Sequence, residues 1–140
     1  MIRPFQKEDM EPVIQIWLES SIQAHNFISE DFWTAKAKDM RAIYLPAAET
    51  YVYEDVDDVN GFISLYENTI AAIFVSPCCQ GKGIGKELIA KAKELRKTLQ
   101  LTVYKANHKS ISFYEKCGFR FLSEQQDEHT GFTELVMIFP

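Results

Sequence analysis

The sequence predicts an α/β (α+β) protein in which a mixed, mostly antiparallel, twisted sheet of six to seven strands is flanked by about four helices. Three observations lead to this fold class. The N-terminal third has apolar residues at helical spacing. From Glu49 the apolar period changes to two, which is typical of a strand meander. Beyond residue 76 helices and strands alternate, so the predicted order is β-α-α-β-β-β-α-β-α-β-β, with helices on both faces of the sheet.

The N-terminal segment predicts a short edge strand and two helices. Ile2 to Phe5 form the strand, because an edge strand tolerates a proline. Asp9 is expected to cap the first helix. The apolar residues of this helix follow an i, i+3, i+4, i+7 spacing, namely Met10, Val13, Ile14, Trp17, Leu18 and Ile22. Ser29 begins a second helical stretch to about Tyr44, and Pro46 is expected to end it.

The meander predicts three strands in sequence. Thr50–Glu54 and Gly61–Tyr66 alternate and are joined by a polar turn, so we expect a hairpin. Thr69–Val75 is nearly apolar throughout, which predicts a strand buried on both faces. Ser76 and Pro77 end it.

The C-terminal half predicts two helices and three strands. A helix over about Gly83–Lys97 has one apolar face, and the strand Leu99–Tyr104 follows it. A shorter helix over Lys109–Cys117 ends at a glycine. Phe119–Ser123 and Thr133–Phe139 are predicted to form a closing hairpin.

The composition is typical of one globular domain, which we assign to residues 1–140. No apolar run approaches the roughly 18 residues of a membrane span. The N-terminus has no apolar signal core and the three cysteines show no disulfide framework or metal-ligand spacing, so we expect a cytoplasmic protein without a metal.

The charge is unevenly distributed along the chain. The formal net charge is −5, but residues 80–120 contain ten of the 15 basic residues and only three acids, a local net charge of +7 that leaves −12 elsewhere. The acidic total argues against a nucleic-acid binder. The basic segment predicts a local anion site.

A glycine-rich loop lies at the start of that basic segment, between a buried strand and a helix. Gly81, Gly83 and Gly85 allow backbone N–H groups to face an anion at the helix N-terminus, and Lys82 and Lys86 add positive charge. The loop lacks the third glycine of a dinucleotide fingerprint and the Lys-Ser/Thr pair of a nucleoside-triphosphate loop. A tight strand-to-helix turn is the purely structural alternative.

Two motifs resemble the GCN5-related N-acetyltransferase (GNAT) superfamily. The first is Gln-x-x-Gly-x-Gly at Gln80, Gly83 and Gly85, and the second is the run Asn107 to Phe119, Asn-His-Lys-Ser-Ile-Ser-Phe-Tyr-Glu-Lys-Cys-Gly-Phe. The element order also resembles that family over essentially the whole chain, most closely its small bacterial stand-alone members that acetylate peptide or protein amines. The resemblance implies a GNAT fold and acetyl-coenzyme A as cosubstrate.

The resemblance also implies which residues bind the cosubstrate. Two strands would diverge, Ala72–Val75 from Leu101–Tyr104, so that exposed backbone groups bind the pantetheine arm as an added strand would. The cofactor-binding residues implied in this way are Ile73, Phe74, Val75, Gln80, Gly81, Lys82, Gly83, Ile84, Gly85, Lys86, Asn107, Ser110 and Phe113.

The reaction needs an oxyanion donor, an acid for the leaving thiolate and a neutral amine. By resemblance, Tyr114 is the general acid and the Val75 backbone N–H the oxyanion donor. Thr69 occupies the position where well-known members have a basic glutamate. Glu67, Glu54 and His25 are the alternatives for the base, and a water relay or direct capture of the neutral amine would need none of them.

The acceptor side is implied only in outline. His25, Phe27 and Trp33 are candidate substrate-binding residues, since the loop between the first two helices lines that side in the family. Asp55, Asp57 and Asp58 are expected to give it an acidic surface that attracts a cationic amine.

We predict an N-acetyltransferase that acts by direct attack in a ternary complex, without metal, nucleic acid or membrane, as a monomer or homodimer. The acceptor is a lysine, an N-terminal, peptide or small-molecule amine, and the choice between acetyl and a longer acyl donor is open. The alternatives are a non-catalytic acyl-coenzyme A sensor of the same fold and an interaction protein whose basic segment meets an acidic partner or RNA.

Overall fold

The computed structural model describes all 140 residues and contains one seven-stranded sheet in the order β1-β2-β3-β4-β5-β7-β6. The bounds of its strands are β1 Ile2–Pro4, β2 Glu49–Asp55, β3 Asp58–Tyr66, β4 Thr69–Val75, β5 Leu99–Tyr104, β6 Arg120–Gln126 and β7 Thr133–Phe139. The bounds of its main helices are α1 Met10–Ala24, α2 Glu30–Asp39, α3 Ile84–Leu95 and α4 His108–Lys116. The predicted element order and the mixed, mostly antiparallel sheet are confirmed.

The helices cover both faces of the sheet, as predicted. On one face α3 packs on a core that includes Ile63, Leu88 and Leu101, all almost fully buried. On the other face α1 and α2 pack on Val52 and Phe62. No helix in the chain is both long and apolar enough to span a bilayer.

The β4 strand differs from its prediction in burial. Of its seven residues only Ile70 is buried, Ala71 is exposed and the other five are partly exposed. The reason is that β4 and β5, the one parallel pair in the sheet, are in register only at Thr69 and Gln100 and then separate. The edge of β4 that faces β5 is therefore open, and its residues are more exposed than the prediction of burial on both faces allowed.

Two helix boundaries also differ from their predictions. Asp9 precedes α1, but its carboxylate is buried and accepts from the Gln6 N–H and from Arg3 rather than capping α1. Pro46 does not end the second helix, because a π-helical stretch Met40–Tyr44 leads into a last turn Leu45–Ala47. A proline is tolerated in the first turn of a helical segment, where its missing N–H has no partner to lose.

Candidate active site

The separation of β4 from β5 opens a cleft of about 1070 Å³ through the middle of the sheet. Its walls come from β4 and β5, from the glycine-rich loop after β4, from α4, and from the end of α1. The sequence brings these parts together because a parallel strand pair places the loops that follow both strands at the same edge of the sheet.

The open edge of β4 presents unpaired backbone groups to the cleft. Ser76 donates its N–H to the Asn60 carbonyl of β3 at 2.8 Å, and partners in an antiparallel ladder alternate between bonded and non-bonded pairs. Ser76 and Asn60 are a bonded pair, so Val75 and Gly61 are a non-bonded pair, and so are Ile73 and Ile63. The N–H and C=O groups of Val75 and Ile73 therefore point away from β3. The Val75 carbonyl accepts from Ser20 Oγ at 3.1 Å and Gln80 Nε2 at 3.2 Å, while its N–H faces the gap.

The three glycines of the loop have different physical roles. Gly81 (φ +81°) and Gly83 (φ +86°) adopt left-handed conformations, and a Cβ at either position would contact nothing within 4 Å. Gly85 allows a close approach instead, since a Cβ there would lie 3.0 Å from Cζ of Phe113 on α4. The turn conformation therefore requires Gly81 and Gly83, and the packing of α4 on α3 requires Gly85. The backbone of the loop at Gly81 and Gly83 remains accessible.

The N-terminus of α3 forms the floor of the loop. The first intrahelical hydrogen bond runs from the Glu87 N–H to the Gly83 carbonyl, and no side chain caps the helix. The N–H groups of Ile84, Gly85 and Lys86 therefore lack intrahelical partners and can bind an anion. All residues from Gln80 to Lys86 line the cleft except Lys82, whose side chain is exposed outside it.

Tyr114 lines the cleft from α4, together with Asn107, Ser110 and Phe113. Its ring packs edge-on against Phe113 and Phe119, and its hydroxyl has no hydrogen-bond partner in the protein. Burial raises its pKa well above the ordinary value, with a smaller contribution from Cys117. The phenol is therefore protonated at neutral pH and available as a proton donor.

Asn107 joins α4 to the loop after α1. Its side-chain oxygen accepts from the Ser110 N–H at 3.2 Å and so caps α4, while its Nδ2 lies 3.4 Å from His25 Nε2. His25 is 8% exposed, and its Nδ1 lies 3.0 Å from the Ser21 carbonyl, which assigns the ring proton to Nδ1. Burial lowers the pKa of His25, so the ring is neutral and its unprotonated Nε2 accepts from Asn107 Nδ2.

The three candidates for the base occupy different places. His25 lines the cleft. Glu67 lies outside the cleft in the β3–β4 turn, beside Tyr66, whereas Val75 is at the opposite end of β4. Glu54 is hydrogen-bonded to Arg3 at the β1 edge, and this contact lowers its pKa. Of these three residues, only His25 therefore lies where a base could act on an amine in the cleft.

A second pocket of about 290 Å³ adjoins the cleft on the α1 and α2 side of the sheet. It shares Trp17, Trp33, Ala71, Ala72 and Tyr104 with the cleft, and most of its walls are apolar. Trp33 is 8% exposed and its Nε1 has no hydrogen-bond partner. A buried indole N–H without an acceptor is energetically costly.

Asp127 supplies the negative charge of this second pocket. Burial opposes ionisation of Asp127, but hydrogen bonds from the Tyr104 hydroxyl, the His129 N–H and the Thr130 hydroxyl outweigh it and lower the pKa. The carboxylate is therefore ionised at neutral pH.

The other acceptor-side predictions have mixed outcomes. His25 and Trp33 line the cleft, but Phe27 lies behind them, in contact with His25, Tyr104 and Phe132. The acidic turn Asp55–Asp58 joins β2 to the start of β3, near Gly61, which pairs with Val75 beside the glycine-rich loop. The expectation of an acidic acceptor surface there is therefore wrong, because these residues lie at the loop end of the cleft.

Sequence reasoning missed Ser20, Tyr104 and Glu134, which also line the cleft. A signal for Ser20 exists, since it follows Trp17 by three residues and is a polar residue on the apolar face of α1. Tyr104 and Glu134 become neighbours only through the β5–β7 pairing, which the sequence does not specify.

Comparison with known proteins identifies the family of this chain. A family model described as an acetyltransferase (GNAT) domain matches residues 46–121. The peptidyl-lysine N-acetyltransferase YiaC of Escherichia coli K12 is 32% identical over 141 residues, covering 100% of this chain and 97% of that protein. The chain belongs to the GNAT family.

Two further proteins extend the comparison. The peptidyl-lysine N-acetyltransferase YjaB of Salmonella typhimurium LT2 is 31% identical over 142 residues, covering 99% of this chain and 97% of that protein. The solution structure of apo-form YjaB from E. coli has a TM-score of 0.88 at 27% identity, covering 99% of this chain and 96% of that one. The predicted GNAT fold is thereby confirmed. The chain is an acetyl-coenzyme A-dependent N-acetyltransferase.

Proposed function

We propose that this GNAT enzyme acetylates the side-chain amine of lysine residues in peptides or proteins, by direct attack on acetyl-coenzyme A in a ternary complex. The observation that supports the reaction most directly is the open edge of β4, where the Val75 N–H and the Tyr114 hydroxyl line one cleft above the uncapped α3 N-terminus. The choice of lysine is supported by the names of the relatives YiaC and YjaB.

Binding of acetyl-coenzyme A, the acetyl donor, is assigned mainly to backbone groups of the cleft. The open edge of β4 at Ile73–Val75 would pair with the amide groups of the pantetheine arm, in the manner of an added strand. The N–H groups from Gly81 to Lys86 would bind the pyrophosphate, and the Lys86 side chain would add charge. Gly81 and Gly83 fit this group, because no side chain fills the space over them.

Two residues are assigned to the acyl-transfer step. The Val75 N–H donates to the thioester oxygen as negative charge develops on it. Tyr114 donates its proton to the departing thiolate, a role that its raised pKa permits at neutral pH. The amine nitrogen forms the new bond to the acetyl carbon while the carbon–sulfur bond breaks.

We assign the receipt of the amine proton to His25 Nε2, which must first exchange its contact with Asn107 Nδ2 for the amine or a bridging water molecule. The ring is neutral because burial lowers its pKa, and Ser21 holds the tautomer that leaves Nε2 unprotonated. Its stacking on Trp33, with 5.1 Å between ring centroids, fixes its orientation between the cleft and the second pocket.

The acceptor side chain is assigned to the second pocket. The apolar walls formed by Trp17, Ala71 and Ala72 suit the methylene stem of lysine, whose charged end prefers a polar partner. Asp127 would attract the charged lysine as it enters the pocket, and the amine must leave this carboxylate and lose its proton before it attacks the thioester.

Release of free thiol from acetyl-coenzyme A, measured over a panel of acceptors, tests the proposal. The informative pair is an N-terminally blocked peptide with one lysine and the same peptide with arginine in its place. We expect thiol release and the mass increase of one acetyl group only with the lysine peptide. Transfer to a free α-amine or a polyamine alone would contradict the lysine assignment. Tight acetyl-coenzyme A binding without release for any amine would favour the sensor.

A cytoplasmic location and the choice between monomer and homodimer stay predictions from the sequence.

A further inference from the structure

Two adjacent cysteines that acetyl transfer does not use lie at the start of the cofactor loop. Cys78 and Cys79 belong to a short 3-10 turn, Pro77–Cys79, between β4 and Gln80. Their Sγ atoms are 3.2 Å apart. Cys78 is exposed, whereas Cys79 is buried and lines the cleft. The third cysteine, Cys117, follows α4 and makes no contact with this pair through its thiol.

The two thiols have unequal reactivity. Ser76 Oγ, at 3.4 Å, and the Cys79 thiol stabilise the Cys78 thiolate by hydrogen bonding, and the charge of Lys82 adds to this, so the pKa of Cys78 is lowered. The pKa of Cys79 is raised by the hydrogen bond that Cys79 makes with Cys78 and by its burial. An exposed thiol with a lowered pKa reacts first with an oxidant, and a neighbouring thiol can then resolve the product.

We propose that Cys78 and Cys79 form a reversible disulfide with a peroxide as oxidant, and that this disulfide releases coenzyme A from the loop. The Cys78 thiolate attacks one peroxide oxygen, the O–O bond breaks, and the leaving oxygen takes up a proton as water, which leaves a sulfenic acid. The Cys79 sulfur then attacks the Cys78 sulfur, the S–O bond breaks and a second water forms. Peroxide gains two electrons and the two thiols lose them.

The geometry explains why the disulfide would disturb the loop. The sulfur atoms must approach from 3.2 Å to about 2.05 Å, and the Cα atoms of adjacent residues, about 3.8 Å apart, lie closer than the roughly 4.4–6.8 Å usual for a disulfide, so the backbone of the turn must change. The turn is held by the Cys79 N–H donating to the Ser76 carbonyl at 2.8 Å. The next residue, Gln80, holds the Val75 carbonyl, so the change reaches both the loop and the open edge of β4.

Coenzyme A and the disulfide are therefore expected to oppose each other. If disulfide formation weakens coenzyme A binding, bound coenzyme A must disfavour the disulfide by the same factor. This proposal uses the cofactor loop of the GNAT fold, but the thiol chemistry can be measured without any acetyl transfer.

Intact-mass measurement and coenzyme A calorimetry, on one set of proteins, test the proposal. Wild type, Cys78→Ser, Cys79→Ser and the matched control Cys117→Ser are treated with hydrogen peroxide, and the peroxide is then removed. Wild type and Cys117→Ser should lose two hydrogens per chain, show a Cys78–Cys79 disulfide in peptide mapping, and bind coenzyme A at least tenfold more weakly until a dithiol reductant restores binding. Neither Cys78→Ser nor Cys79→Ser should lose affinity reversibly.

Three results would overturn the proposal. One is the absence of the intramolecular disulfide, with peroxide producing only higher oxides of Cys78. Another is a disulfide between two chains. The third is a Cys78–Cys79 disulfide that leaves coenzyme A affinity unchanged. Each is visible even if no amine acceptor is found, so it can be distinguished from a failure of the proposed function.

Discussion

Tyr114 and His25 line the same cleft, and burial shifts the pKa of each in the direction that keeps the side chain neutral. The pKa of the phenol rises and that of the imidazole falls, because both charged forms lose hydration. One neutral group is therefore a proton donor and the other a proton acceptor over the same pH range. This pairing suits a reaction in which an amine loses a proton and a thiolate gains one.

Replacing Tyr114 by phenylalanine tests the donor. The variant keeps the ring that packs against Phe113 and Phe119 but loses the proton. We expect kcat to fall by roughly 10²- to 10⁴-fold, while the coenzyme A affinity measured by calorimetry is retained. Phe119→Leu, which alters the packing but no proton donor, is the matched control. Wild-type turnover in Tyr114→Phe would remove Tyr114 from the mechanism.

The buried imidazole of His25 predicts a pH dependence of stability. Because folding lowers its pKa, the unfolded chain takes up a proton at a higher pH than the folded chain does. The stabilisation is complete above the unfolded value of about 6.5 and is lost as pH falls through the lower folded value. Denaturant titrations between about pH 7 and pH 5 should show this loss in wild type.

The control for this effect is His25→Gln, which should remove the slope in that range. The carboxylates of Asp9 and Asp127 have lowered pKa values, so their contributions are lost only in more acidic solution. An identical slope in wild type and His25→Gln would contradict the assignment.

At the scale of elements, the loop after β4 combines three glycines with an uncapped helix. Gly81 and Gly83 require left-handed backbone conformations, and Gly85 allows α4 to approach α3. Together they place free N–H groups in the same cleft as Tyr114. The loop is therefore both a turn and an anion site.

A carboxylate at Gly83 should abolish the anion site. In Gly83→Glu the negative side chain lies at the α3 N-terminus, where it competes with and repels phosphate, and we expect coenzyme A affinity to fall more than about tenfold. Gly131→Glu is the matched control, because Gly131 also has a left-handed φ (+77°) with nothing near its Cβ position, but it lies in the β6–β7 turn. Equal losses of affinity in the two variants would indicate general destabilisation.

At the scale of the whole molecule, the uneven charge predicts a salt-dependent affinity. Residues 80–120 have a net charge of +7 in a chain of −5, and they include the loop and α4. Coenzyme A affinity should weaken as salt increases from about 20 mM to about 500 mM, because the Debye length falls from roughly 20 Å to about 4 Å. Lys82→Gln/Lys86→Gln should reduce this salt dependence. The double substitution Lys7→Gln/Lys38→Gln, which lies outside residues 80–120, should preserve the salt dependence.

Ligand linkage offers a test of folding and binding together. At a free concentration one hundred times its Kd, coenzyme A should stabilise the folded enzyme by about 2.7 kcal/mol and raise Tm by roughly 8 °C. The increase should be absent in Gly83→Glu and present in Gly131→Glu. A Tm of wild type that does not change with coenzyme A would contradict binding to the folded state.

Much of the fold and the donor half of the site could be predicted from short-range pattern. The i, i+3, i+4 spacing in α1, the alternation in β2 and β3, and the loop motif at Gln80–Gly85 are local features, and local geometry explains them. The burial of β4 was mispredicted because its apolar residues line a gap. An apolar strand looks the same in sequence whether a neighbouring strand or a ligand covers its edge.

The sequence by itself determined the order of the elements, the glycine loop and the basic segment 80–120 of an otherwise acidic chain, because each depends on residues close together along the chain. The family resemblance already implied that β4 and β5 diverge, as they do beyond Thr69 and Gln100. Only the tertiary structure decided that Glu67 lies outside the cleft and that His25 meets Asn107 across 82 positions. These contacts depend on sheet register and helix packing. Local sequence patterns do not specify which distant residues come into contact, because those contacts form only when the strands pair and the helices pack.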